Sequence, residues 1–420
     1  MAFEILRQVE RGAFSSVLLA AGDVELDSRD RGLSQELVLG VLRWELYLDR
    51  ILEHFSNRKV EDLDPAVRIA LRLGLYQLRF LTRIPPSAAV NESVSLVRSA
   101  KLSSATSFVN AVLRRATREP DFDPSATIVE PVERLAVQTS HPVWLIERWL
   151  KSFHPDTVEK LARANNEHPP VAFWVIQEAN ETSVLQQLNS AGAQLEESKV
   201  VPGAWRVAGA TQVLRELAAS GQIYIQDEAS QAVVSALEAK PGQRVLDICA
   251  APGGKTTLIA AYAGDRATII AGDISFARLE TVREAVQLQQ LRSITLMILD
   301  AGQSLPFPPE SFDRVLLDAP CSGTGTLRRN PEIKWRLSER DIEELARQQA
   351  HFLRNAVELV KPGGRLVYST CSVEIDENEM VLRDFFGEDD RFAMVLPRQR
   401  TWPHIDGCDG FAIFALERRH

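Results

Sequence analysis

Three stretches of different periodicity predict a multidomain chain: an all-α region, then a small α+β module, then an α/β region built on a mostly parallel sheet. Over the first 120 residues, apolar side chains recur at three- and four-residue spacing, the period of a helix with one buried face. Between about 140 and 225, short apolar runs alternate with amphipathic ones. From Gly242 onward, apolar strands and helical segments alternate regularly, as βαβ units require. At roughly 150 residues per domain, 420 residues accommodate two to three such regions.

The elements follow in order. EILRQVERGAFSSVLLAAG, LSQELVLGVLRWELYLDRILEHF and PAVRIALRLGLYQLRFLT are helical by spacing. PPSAAVNESVSLVRSA opens on prolines, a helix start, and SATSFVNAVLRRATR closes the region. Pro120, Pro124 and Pro131 mark a linker. HPVWLIERWLKSF and TVEKLARANNE are amphipathic helices; VAFWVI and AWRVAG are strands; TSVLQQLNSAGA and QVLRELAASG are helices, the last ending on Gly221. QIYIQDEASQAVVSAL leads into the third region. There RVLDICA, ATIIAGDI, ITLMILD, FDRVLLDAP and GGRLVYSTCS are the sheet strands, with RFAMVLP and GFAIFALER as an antiparallel addition. The expected boundaries are 1–130, 131–226 and 227–420.

Composition excludes several classes. Apolar residues make up 45% and charged residues 25%, the balance of a globular chain rather than a disordered one. The four cysteines, Cys249, Cys321, Cys371 and Cys408, form no CxxC pair, so neither a disulfide framework nor a metal centre is expected. The N-terminus MAFEILRQVERG is charged where a signal peptide is apolar, and no stretch reaches the roughly 20 apolar residues of a membrane span. A cytoplasmic location is expected. The net charge of −9 opposes nucleic-acid binding, but nine basic residues (Arg68, Arg72, Arg79, Arg83, Arg98, Lys101, Arg114, Arg115 and Arg118) face a single acid, Glu92, between Pro65 and Arg118. Such a local excess can neutralise phosphates because screening silences distant charges beyond about 8 Å; a solvated helix face is the plainer alternative.

Ligands of open parallel sheets bind beyond the carboxyl ends of the strands. Asp247, Asp273, Asp300 and Asp318 end the first four strands, and Cys371 lies just past the fifth. The turn AAPGGKTT lacks the first glycine of a phosphate loop, where Cys249 stands, and there is no GxGxxG. Asp273, 19 residues after Gly254, sits where an acid accepts from ribose hydroxyls. A nucleoside without pyrophosphate suits this turn, and S-adenosylmethionine fits: ribose at Asp273, adenine beside Asp300, methionine over Ala250 to Gly254. Strand-end aspartates also cap turns, a plainer reading for any one of them. DAPCSGTG and STCS each place a cysteine among small residues directly after a strand, whereas Cys249 and Cys408 read as small buried hydrophobes.

DICAAPGGKTT, DAPCSGTGTLRRNPEIKW, YSTCSV and DGFAIFAL resemble the motifs of RNA cytosine-5 methyltransferases. ELVLGVLRW, RLGLYQLRFL, IPPSAAVNESV, FVNAVLRR, ANNEHPPVAFWV and IYIQDEASQ resemble the Sun (RsmB-like) branch, which acts on small-subunit 16S ribosomal RNA. The resemblance implies an all-α NusB-like RNA-binding domain, a small α+β RRM-like connector and an α/β Rossmann-type S-adenosylmethionine-dependent methyltransferase domain. It implies Cys371 as nucleophile and Cys321 as the residue that promotes product release. The cofactor would be held by Cys249, Ala250, Ala251, Pro252, Gly253, Gly254 and Lys255, with Asp273, Asp300 and Asp318. One departure is Leu299, where the family more often has glycine before the aspartate.

The chemistry requires such groups. Cytosine C5 is a poor nucleophile until a thiolate adds to C6. A free thiol is only slightly ionised at neutral pH, so positive charge from a sulfonium or from Lys255 would help. Asp318 is the candidate to meet N3, as a neutral acid or through a shared proton. Arg328, Arg329, Lys334 and Arg336, with Trp335 among them, suit phosphate contacts and base stacking, or else form an ordinary charged helix start. A methyltransferase for a protein or small molecule would not need two rim cysteines, and an RNA-assembly factor would need neither Cys371 nor the cofactor rim. A DNA enzyme would be expected to use the thiol after Pro320, so the TCS site at Thr370 to Ser372 discriminates.

Overall fold

The computed structural model describes residues 1–22, 27–177, 180–395 and 399–420. They form two compact units: Met1–His168 with Leu327–Arg336, and Pro169–Thr326 with Leu337–His420.

The first unit is helical. Its helices are α1 (Ala2–Val9), α2 (Ser15–Gly22), α3 (Ser28–Arg43), α4 (Glu45–Ser56), α5 (Pro65–Phe80), α6 (Pro86–Ser99), α7 (Thr106–Ala116), α8 (Pro131–Thr139), α9 (Val143–Ser152) and α10 (Pro155–Ala164). Leu48, Ile51, Leu52 and Phe55 show why α4 forms: spacings of three and four put all four into the core beside Leu71, Leu75 and Leu113. Asp64 caps α5, accepting from the Ala66 amide at 2.8 Å, with Pro65 in the first turn, where its missing N–H costs nothing. The long run 33–55 divides at Trp44, whose φ of −104° leaves the helical range. Pro131 opens α8 instead of extending a linker: proline suits a first turn, and Glu130 accepts from the Glu133 amide at 2.7 Å.

The second unit begins with strand β1 (Val171–Val175), helix α11 (Glu181–Ser190), β2 (Gln194–Glu197), β3 (Ala204–Ala208), α12 (Thr211–Ala219) and β4 (Ile223–Ile225). This is a β-α-β-β-α-β succession forming one antiparallel sheet of order β2-β3-β1-β4. Neither β2 nor β4 is evident in the sequence, since QLEE carries no apolar alternation and IYI is too short to show any.

Then follow α13 (Glu228–Leu237), β5 (Arg244–Asp247), α14 (Gly254–Tyr262), β6 (Thr268–Asp273), α15 (Phe276–Leu288), β7 (Ile294–Ile298), β8 (Phe312–Asp318), the short α16 (Ile333–Arg336, part of the first unit), α17 (Glu339–Val357), β9 (Val360–Thr370), α18 (Val381–Glu388), β10 (Phe392–Met394), β11 (Gln399–Arg400) and β12 (Ala412–Arg418). The sheet order is β10-β12-β9-β8-β5-β6-β7, with β11 beside β12. β5 to β9 are mutually parallel, and β12 and β10 antiparallel, as the sequence predicts. Of the expected strand RFAMVLP, Leu396 and Pro397 lie outside the described residues. The order of parallel strands reverses between β5 and β8, so a crevice opens beyond their carboxyl ends. Asp247 and Asp318 end those two strands.

Candidate active site

The turn after β5 is shaped by two glycines. Gly253 has φ +108°, the left-handed region, and stands at the N-cap of α14. At Gly254 a Cβ would stand 2.9 Å from the Tyr224 ring and 3.1 Å from the Gln226 amide, so only glycine leaves this approach open. A cleft of about 190 Å³ results, lined by Cys249 to Pro252, Gly254, Lys255, Asp318, Tyr224, Gln226 and Ser230. Tyr224 and Gln226 escape the sequence reading. They precede the Rossmann-type strands, and only the packing of β4 against the turn shows them to be part of the wall.

Each strand-end acid has a distinct environment. Asp247 is buried; one oxygen accepts from the Thr256 hydroxyl at 2.7 Å, and Oδ1 has no partner. Burial, with Asp318 and Asp273 adding negative charge, pushes its carboxyl up to about 7. Asp273 accepts from the Ser275 amide at 3.0 Å and pairs with Arg278 at 3.4 Å. Asp300 accepts from the Gly302 amide at 2.8 Å. Both aspartates thus cap their own turns with one oxygen. Leu299 fills the space over Gly272, where a Cβ would meet its side chain at 2.4 Å, and its amide donates to the Asp273 carbonyl. The unpaired Asp247 oxygen and the glycine cradle fit a cationic nucleoside ligand of the S-adenosylmethionine kind: a buried acceptor calls for a donor, and the cradle admits a close-packed ligand.

Lys255 carries the next link. Its ammonium lies 2.7 Å from Asp318 Oδ2 and over the Phe411 ring at 5.3 Å. Burial opposes its charge, but Asp318, then Cys371 and Asp247, hold it above the ordinary value. Asp318 also accepts from the Ser369 hydroxyl at 2.7 Å. An acid donating to N3 from here would first give up the Lys255 ion pair.

The two cysteines meet. Cys321 Sγ and Cys371 Sγ are 3.3 Å apart, brought together by the adjacent ends of β8 and β9. The hydrogen bond to Cys371, then burial, holds the Cys321 thiol well above its usual value. Cys249 and Cys408 also have thiols pushed up chiefly by burial.

The basic and aromatic cluster after Cys321 is a correction. Lys334 is 1% exposed and donates to the Arg43 carbonyl at 2.9 Å; Trp335 Nε1 donates to the Leu42 carbonyl at 2.6 Å. Arg336 donates to the Val9 and Ala13 carbonyls at 2.7 and 2.5 Å. Arg328 is buried, and its carbonyl accepts from Arg43 at 2.8 Å. Glu332 accepts from the amide and hydroxyl of Ser15 at 2.9 and 2.8 Å. These partners are the C-terminal ends of α1 and α3 and the first residue of α2, where helices leave backbone groups unsatisfied. Arg336 at the end of α1 and Glu332 at the start of α2 also suit the helix dipoles, whereas burial, then Arg43, pulls the Lys334 ammonium well below its ordinary value, so Lys334 serves there as a hydrogen-bond donor. Lys334, Trp335 and Arg336 are therefore helix caps within the first unit, not a free stacking and phosphate surface.

The nine-to-one basic excess also shrinks. Arg72 is buried in a fork with Asp49 at 2.7 Å and pairs with Glu45 at 3.1 Å, while Arg68 pairs with Glu10 at 3.0 Å. Arg83, Arg98, Lys101, Arg114, Arg115 and Arg118 remain exposed. Among the described residues, no helix is long and apolar enough to cross a membrane, and no three His, Cys, Asp or Glu side chains converge as metal ligands would.

A parallel sheet whose topological switch carries acids and a glycine cradle is a Rossmann-type nucleotide-binding architecture, and here two thiols in contact stand at its rim. Comparison with known proteins makes this specific. Residues 234–416 match the 16S rRNA methyltransferase RsmB/F model, 1–118 the NusB family, and 141–214 the ferredoxin-like domain of RsmF/B-like methyltransferases. The chain is 35% identical to the probable ribosomal RNA small subunit methyltransferase B of Bacillus subtilis, covering 100% of this chain and 98% of that one. It is 39% identical to the ribosomal RNA small subunit methyltransferase B of Pseudomonas putida, over 86% and 82%. The crystal structure of PH0851 superposes with a TM-score of 0.84 at 28% identity, over 99% and 97%. The chain belongs to the RsmB/Sun family of small-subunit rRNA methyltransferases, with a NusB-like domain, a ferredoxin-like domain and a methyltransferase domain.

Proposed function

We propose that the protein transfers a methyl group from S-adenosylmethionine to C5 of a cytosine in 16S ribosomal RNA through a covalent adduct between Cys371 and C6. The single observation that carries the reading is the thiol pair at 3.3 Å, beside the Lys255–Asp318 ion pair and past the cofactor cradle. The segment Cys249 to Lys255, with Asp273, Asp300 and Asp318, would hold S-adenosylmethionine, and Asp247 Oδ1 is a further acceptor for it. When bound, this cofactor supplies an electrophilic methyl on a sulfonium.

Cys371 enters as thiolate and adds to C6, which pushes an electron pair onto C5. C5 would then take the methyl carbon as its bond to the donor sulfur breaks, which would leave S-adenosylhomocysteine. A base removes the C5 proton, the C5–C6 double bond reforms, and the C6–S bond breaks to return Cys371. Cys321, in contact with the Cys371 sulfur, serves as that base or activates it. Asp318 would meet N3 as a neutral acid, giving up its ion pair with Lys255 to do so. The base must be unstacked for C5 and C6 to meet both reagents, so a loop or flipped nucleotide is the substrate form.

The test is denaturing electrophoresis with labelled 16S RNA and S-adenosylmethionine. Cys321→Ala should accumulate a covalent RNA adduct; an adduct with Cys371→Ala instead would reverse the roles. Bisulfite mapping of ribosomal and transfer RNA, with and without the gene, reads the base and the RNA. A missing cytosine mark only in transfer RNA would move the substrate.

A further inference from the structure

We propose that the buried carboxylate of Glu377 is a positioning residue: it ties the two cysteine motifs together at their working separation and keeps the proton of the thiol pair on Cys321. The proposal rests on the reading of Cys321 and Cys371 as the reacting pair.

Glu377 lies in the helical turn Asp376–Met380, just after β9, and is fully buried. Its Oε1 accepts from the Ser322 amide at 2.8 Å and from the Gln349 side chain at 2.9 Å. Its Oε2 accepts from the Ser322 hydroxyl at 2.5 Å and from the Ser372 hydroxyl. Ser322 follows Cys321 and Ser372 follows Cys371, so one carboxylate grips the residue after each thiol. Gln349 also donates to the Pro320 carbonyl, just before Cys321, at 2.8 Å. The Tyr368 hydroxyl donates to the Glu377 carbonyl at 2.5 Å and to Gln349 at 3.3 Å, anchoring the clamp to β9.

These four donors to the carboxylate are neutral. Burying a charge without a cation against it is costly, and a neutral acceptor would serve packing alone. The charge has a specific neighbour. Cys321 is faced by Tyr368 from β9, Cys371 just past the end of β9, Asp318 from β8 and Glu377 from the following turn, while Lys255 from α14 reaches Asp318 and Cys371. Negative charge therefore surrounds Cys321, and positive charge stands on the Cys371 side. After the hydrogen bond to Cys371 and burial, the charges of Cys371, Glu377 and Asp318 hold the Cys321 thiol up. Once Cys371 is a thiolate, a second thiolate 3.3 Å away would be repelled, so the pair keeps one proton. The arrangement leaves that proton on Cys321 while Cys371 is a free thiolate; once the Cys371 sulfur is bonded to C6 it carries no charge, and Cys321 can then release its proton and act in the removal of the C5 proton.

Glu377→Gln keeps the shape, and serine hydroxyls can rotate to accept from the new amide; only the charge is lost. Calorimetry should give unchanged S-adenosylmethionine affinity, and KM for RNA should hold. kcat should fall about 100-fold, the low end of what a correctly protonated acid–base group contributes. The basic limb of the kcat/KM profile should move to lower pH, because Cys321 ionises more easily without the anion. Glu377→Asp, which restores the charge, should return that limb towards the wild-type position. Wild-type kcat and an unmoved basic limb in Glu377→Gln would overturn the proposal. If that variant does not fold, Ser322→Ala/Ser372→Ala removes both hydroxyl donors and leaves the anion; wild-type kcat there overturns it equally. Cys371→Ala is measured alongside: if it retains turnover, the reading of the site fails, whereas a dead Cys371→Ala beside an unaltered Glu377→Gln condemns only the role of Glu377.

Discussion

Residues 318–326 and 327–336 are consecutive in the chain and do opposite things with their polar side chains. In the first, DAPCSGTGT, small residues keep a thiol at the rim while the chain around it is fixed by buried hydrogen bonds, such as Thr324 Oγ1 accepting from the Val373 amide at 3.1 Å. In the second, LRRNPEIKWR, long cationic and aromatic side chains reach helix ends, and their donors are used on backbone carbonyls. The difference teaches what a basic-aromatic run signifies. It marks a nucleic-acid surface only while its donors face solvent, and nearby helix C-termini are competing acceptors with their own negative potential.

The largest expected contrast is in chemistry. Cys371→Ala should abolish methyl transfer while leaving stability and S-adenosylmethionine affinity nearly intact, because one rim sulfur packs little. Turnover on 16S RNA and cofactor calorimetry check this. Appreciable turnover would erase the distinction drawn for the first segment.

The rim was legible because its logic is local: an acid or a thiol at a strand end, bounded by small residues, announces itself in sequence. Glu377 did not announce itself. It sits in EIDENE, past the strand end and among other acids, and only the return of α17 and β9 around it makes it a buried clamp. The second segment misled for the reciprocal reason, since its acceptors lie about 290 residues or more earlier in the chain. Likewise α8 was hidden behind Pro131, whose rigid φ suits a first helical turn as well as a linker.

The second segment has its own test. Lys334→Met keeps the aliphatic stem and removes the donor, leaving the Arg43 carbonyl buried and unsatisfied. A stability loss of about 1–3 kcal/mol is expected in urea unfolding, with the salt slope of RNA binding unchanged. A slope reduced by about one, with stability intact, would return Lys334 to the RNA surface.

Within the rim, Asp247 sharpens the contrast between a fully satisfied carboxylate such as Glu377 and one that keeps an open oxygen. Its folded-state carboxyl is raised from 3.8 to about 7. The folded chain therefore holds that proton longer than the unfolded chain. The stabilisation this gives is complete below the unfolded value and is lost as pH rises through about 7. Asp247→Asn is neutral throughout, so without cofactor it should exceed wild type in stability by about 2–4 kcal/mol above neutrality and match it in acid. A pH-independent difference in denaturant midpoint would assign the effect to packing instead.

The smallest effect concerns the cations that the first unit leaves exposed. Arg98 and Lys101 stand at the end of α6 in solvent, whereas Arg72 is held by Asp49 and Glu45. If the helical unit draws RNA by charge, each exposed cation that meets a phosphate releases about one counterion, and its removal should lower the salt slope by about one. Arg98→Ala and Lys101→Ala should thus weaken 16S RNA binding modestly at low salt, less so at high salt, and leave unfolding unchanged. Arg72→Ala should do the reverse, stranding Glu45 and Asp49 together: stability falls and the slope stays. Equal slopes for all three variants and wild type would mean that the exposed cations of α6 do not meet the RNA, and that its grip lies on other faces of the chain.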